Sequence, residues 1–143
     1  MIMQQFTVRT ATLADLNILL SFEQEIIRAE RPFDETLDED PISYYDLRQL
    51  ILSDEAEVMV AELHSRIIGS GYALIRDAKP YLNHKKYSYL GFMYTEKDQR
   101  GKGVNKAIID ALMQWSKSKG IQEVRLTVYN DKKHLLEMRV HVD

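Results

Sequence analysis

Apolar residues recur with a helical period in the first part of the chain and with a strand period after it. Between residues 12 and 28 they lie close to one helical face, which predicts a helix over 12–28. Thr12, with Asp15 three residues later, has the spacing of a capping box at the start of this helix. The stretch 30–41 that follows carries two prolines and many acids and is predicted to be a loop.

A second helix is predicted over 43–52, because Ser43 and Asp46 have the spacing of another capping box. Runs rich in β-branched, aromatic and alternating apolar residues predict strands over 6–11, 57–63, 66–78, 86–95, 123–130 and 134–142. Only His64 and Ser65 separate the second and third of these runs, which is the spacing of a β-hairpin.

A third helix is predicted over 103–119, between the fourth and fifth strands. Its apolar stripe spans about three turns and consists of Val104, Ala107, Ile108, Ala111, Leu112 and Trp115. Gly120 is placed to end it. The resulting order is strand, helix, helix, three strands, helix and two strands. It predicts a single domain over 1–143 of the α/β (α+β) class, a mixed central sheet with antiparallel N-terminal strands and one parallel crossover, flanked by helices.

A basic glycine turn immediately precedes the third helix. Gly101 and Gly103 allow a ligand to approach the backbone, and the unpaired N–H groups at a helix start attract anions. Four cations surround the turn: Lys97, Arg100, Lys102 and Lys106. A phosphate or pyrophosphate ligand is therefore predicted. An ordinary solvated surface turn is the alternative that the residues leave open.

Two nucleotide-binding motifs fit this turn poorly. A P-loop requires Gly-Lys-Ser/Thr at its end, whereas Val104 follows Gly103 here. A dinucleotide fingerprint requires a third glycine where this chain has Lys106, and it should open a βαβ unit near the start of the sheet.

The run Arg100-Gly101-Lys102-Gly103-Val104-Asn105, the opening FTVRTATLADL and the order of elements resemble the GCN5-related N-acetyltransferase (GNAT) family. Arg100 and Gly103 match the family motif, whereas Asn105 replaces its usual small residue. The resemblance implies that acetyl-CoA is bound by the residues Met93, Thr95, Gln99, Arg100, Gly101, Lys102, Gly103, Val104 and Asn105. It also implies that an amine attacks the thioester while a backbone N–H near Met93 stabilises the oxyanion.

Two departures from the family pattern concern the catalytic groups. Many relatives carry a glutamate on the fourth strand where this chain has Gly91, so no base is assigned, and Tyr89 and a water chain are the weak candidates. A family helix bearing the leaving-group acid is missing between Asp131 and Lys132. Omission of a segment from the sequence is the favoured explanation, because its loss would uncover apolar sheet surface. A direct hairpin is the alternative.

The resemblance and the composition together set the expected function. The first hypothesis is transfer of an acetyl group to a primary amine of a small molecule or peptide. The second is an acyl-CoA-binding but catalytically degraded module, and the third is an unrelated phosphate-binding or interaction domain. The resemblance implies that the acids Asp34, Glu35, Asp38, Glu39 and Asp40 border the acceptor side, which predicts a cationic acceptor, and a merely solvated acidic loop is the alternative. The resemblance leaves a homodimer open.

The composition excludes several other classes of protein. The chain has no cysteine, which rules out thiol catalysis and cysteine-ligated zinc, and its histidines lack metal-ligand spacing, so no metal is predicted. The net charge of −3 argues against a nucleic-acid partner. No apolar run resembles a membrane span or signal peptide, so no membrane partner and a cytoplasmic location are expected.

Overall fold

The computed structural model describes residues 5–83, 85–129 and 135–142. The helices are α1 (Leu16–Glu30), α2 (Leu47–Leu52) and α3 (Val104–Ser118), with short 3-10 turns at Leu13–Asp15, Arg31–Phe33 and Lys97–Gln99. The strands are β1 (Thr7–Thr10), β2 (Ala56–Leu63), β3 (Arg66–Asp77), β4 (Lys86–Thr95), β5 (Glu123–Tyr129) and β6 (Leu135–His141). This is the order of elements that the sequence predicts.

The six strands form one sheet in chain order, β1 to β6. Neighbouring strands from β1 to β4 are antiparallel, as are β5 and β6, whereas β4 and β5 are parallel and joined by the α3 crossover. The predicted mixed sheet with a single parallel crossover is therefore confirmed. The glycine turn connects the end of β4 to the start of α3, so it lies beside the parallel pair of strands.

Helices cover both faces of the central strands. On one face α3 buries Val104, Ile108 and Leu112, each no more than 2% exposed, which confirms the predicted stripe. On the other face α1 and α2 contribute a second cluster that contains Phe22 and Leu47. Helices with one apolar stripe must bury it against another layer, and the sheet supplies that layer here. No helix in the described ranges is long and apolar enough to cross a bilayer.

The first predicted capping box forms. Thr12 Oγ1 accepts from the N–H of Ala14, and the Asp15 carboxylate accepts from the N–H of Thr12 at 2.8 Å. Asp15 also binds Arg9 of β1 through two contacts of 2.9 Å. The start of the first helix is thus tied to the edge of the sheet.

The predicted start of the second helix at Ser43 is wrong. α2 begins after Asp46, whose Oδ1 accepts from the N–H of Gln49 at 3.1 Å. The reason lies in α1, where the buried carboxylate of Glu23 accepts from the N–H groups of Tyr44 at 3.0 Å and Tyr45 at 2.8 Å. A long-range hydrogen-bond acceptor therefore holds these N–H groups in a loop instead of a helix.

The question that the sequence raises at Asp131–Lys132 falls on residues outside the described part of the chain. The strands on either side of it pair antiparallel, with Tyr129 opposite Leu135. A direct hairpin and a longer connection both permit this pairing, so both explanations stay predictions.

Candidate functional site

The glycine turn between β4 and α3 has an open backbone. Gly101 (φ 76°) and Gly103 (φ 85°) are both left-handed, a conformation that glycine adopts without the clash of a Cβ. Gly103 is the N-cap of α3 and supplies no side-chain cap, so the first N–H groups of the helix have no intrahelical partner. A Cβ at either glycine would meet nothing within 4 Å, and the turn is therefore accessible to a ligand.

The electrostatics of the turn favour an anion. Its two acids, Glu96 and Asp98, are both bound by Arg66 from the β2–β3 hairpin, at 3.0 and 2.8 Å. Hydrogen bonding from Arg66 lowers the pKa of Asp98 to about 2, so its charge is compensated by Arg66 at neutral pH. The Arg100 Nε donates to the Thr95 carbonyl at 3.1 Å, which ties the turn to the end of β4. Lys106 pairs with Asp110 at 2.8 Å, and Lys97 and Lys102 remain to attract phosphate.

β4 carries a bulge next to this turn. The register sets Phe92 and Met93 of β4 against the single residue Gly71 of β3. Phe92 has φ 57°, and a left-handed conformation of this kind costs of order 1–3 kcal/mol in a bulky residue. The fully buried Ser70 donates from Oγ to the Phe92 carbonyl at 3.1 Å. Because bulges bend a strand and interrupt its pairing, β4 changes direction here.

The parallel pairing of β4 with β5 ends just before the bulge. It runs from Ser88–Val124 to Leu90–Leu126 and does not extend to residues 91–95. The last part of β4 therefore has an edge that β5 leaves unpaired. An extended, amide-bearing ligand can pair with such an edge in the manner of an added strand.

A cavity of about 610 Å³ lies between α1 and the end of β4. Its wall includes the predicted acetyl-CoA residues Met93, Thr95, Arg100 and Asn105. Lys97 and Arg100 make its turn end basic. The cavity thus connects the anion-attracting turn with the unpaired part of β4.

A second cavity of about 480 Å³ continues from the first along β4 and shares Ile26, Glu30, Met93 and Asn105 with it. Two carboxylates, Glu30 and Asp34, line it, and none of the described residues in its wall is basic. The trench formed by the two cavities is therefore basic at the turn and acidic at its other end.

Three tyrosines, Tyr44, Tyr45 and Tyr89, complete the wall of the second cavity. The buried Glu23 carboxylate fixes the backbone of the first two, and burial raises the pKa of Tyr45 well above its usual range. Tyr89 donates from its hydroxyl to Thr127 Oγ1 of β5 at 3.0 Å. An acidic and aromatic wall of this kind attracts an ammonium group through charge and cation–π contacts.

The predicted site residues fall into two groups in the structure. Met93, Thr95, Arg100 and Asn105 line the trench, and the turn residues 101–104 adjoin it. Gln99 differs, because its side chain is buried and its backbone N–H donates to the Glu96 carbonyl at 2.9 Å. Its predicted contact with acetyl-CoA stays a prediction, as do those of the other residues. Within the described chain, no group of three or more His, Asp or Glu side chains is arranged to hold a metal.

The acidic loop contributes less to the trench than the sequence suggests. Of its five acids only Asp34 lines either of these two cavities, while Asp40 is bound by Arg31 at 2.7 Å. Glu30, at the end of α1, is the carboxylate that sequence reasoning missed. The helical period could have pointed to it, because Ile26 and Glu30 lie four residues apart on one face and share both cavities.

Solved acetyltransferases share this architecture. An acetyltransferase from Vibrio fischeri aligns with a TM-score of 0.71 and 20% identity over 84% of this chain and 93% of its own. A predicted acetyltransferase from Clostridium acetobutylicum, in a crystal structure with acetyl-CoA, aligns with a TM-score of 0.67 and 20% identity over 91% and 84% of the two chains. Glucosamine-6-phosphate N-acetyltransferase from Arabidopsis thaliana aligns with a TM-score of 0.64 and 20% identity over 90% and 85%. At these identities the likeness establishes the fold.

No functionally curated protein matches the sequence. The acetyltransferase (GNAT) family, in contrast, matches it over residues 21–138, which include most of α1, the bulged strand, the glycine turn and α3. The match covers most of the chain and agrees with the fold, and the protein therefore belongs to the GNAT family of acetyltransferases.

Proposed function

We propose that the protein transfers an acetyl group from acetyl-CoA to a primary amine of a positively charged acceptor molecule. The observation that carries this proposal is the polarity of the trench, which is basic at the glycine turn and acidic at Glu30 and Asp34. An anionic pyrophosphate suits the first end and an ammonium group suits the second. The unpaired part of β4 between them accommodates the extended pantetheine arm.

The reaction is a direct acyl transfer. The neutral amine attacks the thioester carbonyl carbon, a C–N bond forms and the C–S bond breaks, and CoA leaves as the thiolate. The amine loses one proton before attack and one afterwards, and the thiolate takes up one of them. A backbone N–H near Met93 stabilises the negative oxygen that forms on the carbonyl.

Titration calorimetry with acetyl-CoA, followed by thiol release on adding a library of amines, tests the proposal. We expect saturable binding of acetyl-CoA and faster release of CoA thiol with polyamines or basic peptides than with neutral amines. Absence of acetyl-CoA binding by the folded protein would contradict the proposal.

The acidic end of the trench gives a prediction for the acceptor. Glu30→Gln should raise the KM for a cationic amine about tenfold at low salt, the equivalent of 1.4 kcal/mol, because it removes one charge from a partly enclosed wall. Glu35→Gln is the matched control, since Glu35 is an exposed acid of the neighbouring loop outside both cavities. Equal KM values for the two variants would show that Glu30 does not contribute to binding of the acceptor.

The second candidate function is acyl-CoA binding without catalysis. Gly91 favours it, because this position has no carboxylate and the space beside it is filled by Tyr72. Under this alternative acetyl-CoA binds as in the first proposal, and no amine accelerates the release of CoA thiol.

A further inference from the structure

The peptide group between Phe92 and Met93 lies in the bulge, where β4 separates from β5. This group is trans, and in a planar trans peptide the C=O and the N–H point in opposite directions. Its carbonyl accepts a hydrogen bond of 3.1 Å from Oγ of Ser70 on β3. The Met93 N–H therefore points away from the Ser70 hydroxyl, in the part of β4 that β5 leaves unpaired.

The surroundings of this peptide group hold it in one orientation. Ser70 is fully buried and Phe92 is 2% exposed, so water does not compete for the hydrogen bond. The Phe92 ring packs against Tyr45, with ring centroids 5.3 Å apart. Opposite the bulge, a Cβ at Gly71 would lie 2.6 Å from Met93 Sδ and 2.9 Å from Ile108 Cγ2, so glycine at this position leaves room for the Met93 side chain.

We propose that Ser70 is a positioning residue. By fixing the Phe92 carbonyl, its hydroxyl directs the Met93 N–H towards the acyl carbonyl of bound acetyl-CoA. This inference rests on the proposed function, since the N–H needs a thioester oxygen to receive it. It adds a residue from a neighbouring strand, outside the glycine turn and the cavity walls, to the machinery that stabilises the oxyanion.

The chain offers a matched control for a substitution at Ser70. Ser116 in α3 is equally buried, at 0% exposure, and also donates from Oγ to a backbone carbonyl, that of Leu112, at 2.9 Å. Ser70→Ala and Ser116→Ala therefore remove the same chemical group from the same degree of burial. Both variants should lose stability to the same degree, whereas only Ser70→Ala should change the orientation of the Met93 N–H.

The test uses the carbon-13 resonance of the carbonyl in bound [1-13C]acetyl-CoA, together with the affinities for acetyl-CoA and for free CoA. A hydrogen bond to the carbonyl oxygen moves this resonance downfield from its position in free acetyl-CoA. We expect Ser70→Ala to move it back towards that position and to weaken acetyl-CoA binding relative to CoA by about tenfold. Ser116→Ala should keep the resonance and the affinity ratio of the parent protein.

A Ser70→Ala variant that binds acetyl-CoA with the parental resonance and the parental affinity ratio overturns the inference and leaves the proposed function intact. A parent protein that binds acetyl-CoA without any downfield shift likewise overturns the inference and leaves the proposed function intact. A parent protein that binds no acetyl-CoA contradicts both the inference and the proposed function. If Ser70→Ala fails to fold, Ser70→Cys provides the same comparison, because it keeps the shape of the side chain with a much weaker donor.

Discussion

Replacement of Gly103 by alanine separates the conformational role of the glycine turn from its binding role. Gly103 has φ 85°, and an added Cβ would meet no atom within 4 Å, so the substitution creates no clash in the free protein. Its cost is the steric cost of the left-handed conformation, about 1–2 kcal/mol for a residue with a Cβ. The same methyl group projects into the open space where the proposed phosphate binds.

Gly120 provides a control at the other end of α3. It has φ 78° and likewise nothing within 4 Å of an added Cβ, and it lies beyond the C-terminus of the helix, away from the trench. Gly120→Ala should therefore lose the same 1–2 kcal/mol, as judged by urea unfolding. Only Gly103→Ala should also weaken CoA binding, by about tenfold or more in titration calorimetry, which corresponds to 1.4 kcal/mol or more.

The comparison of the two variants isolates the binding effect from any general loss of stability. If Gly103→Ala and Gly120→Ala bind CoA equally well while both remain folded, the turn before α3 does not hold the pyrophosphate. If Gly103→Ala loses no stability, the left-handed conformation at this position is not what requires glycine.

Three further predictions concern stability and chain continuity. Hydrogen bonding from Arg9 lowers the pKa of Asp15 in the folded protein. The ionised carboxylate therefore stabilises the fold fully above the unfolded pKa near 3.8, and this stabilisation is lost as the pH falls through the folded pKa. Urea unfolding should show Asp15→Asn to be about 1–2 kcal/mol less stable than the parent at pH 7, and the difference should vanish in acid. Glu23→Gln weakens a buried acceptor that binds two backbone N–H groups and should cost about 1–3 kcal/mol in the same assay. Cleavage of the protein after glutamate tests the continuity at Asp131–Lys132: the favoured omission predicts that no peptide has the mass of residues 124–137, and a peptide of that mass would support the direct hairpin.

The elements that the sequence predicts well are those that local chemistry determines. The α3 stripe, the capping box at Thr12 and the glycine that ends α3 each depend on residues within about one turn of one another. The glycine turn is also predictable from local sequence, because the strand, the glycines and the helix follow one another in the chain. The sheet order follows from short connections and one parallel crossover.

The features that the sequence does not reveal depend on contacts between distant segments. α2 starts late because Glu23, some twenty residues upstream, binds the N–H groups that a longer helix would use. The bulge arises where β3 faces β4, and its local signs are the run Gly69-Ser70-Gly71 and the glycine at 91. Glycine within a strand is a known sign of a bulge, but the partner strand and the direction of the exposed peptide group require the structure.

The packing around Gly91 explains why this strand has no room for the glutamate that many relatives carry here. Gly91 pairs with Tyr72 across the β3–β4 ladder, and a Cβ there would lie 2.7 Å from both Cζ and the hydroxyl of the tyrosine. A side chain as large as glutamate therefore requires Tyr72 to leave a position in which it is 5% exposed, and burial raises the pKa of that phenol. Since the tyrosine stays protonated at neutral pH, it does not replace the missing carboxylate as a base. We therefore propose Glu30, which lies in the wall of both cavities, beside Tyr89 as a candidate base for the amine.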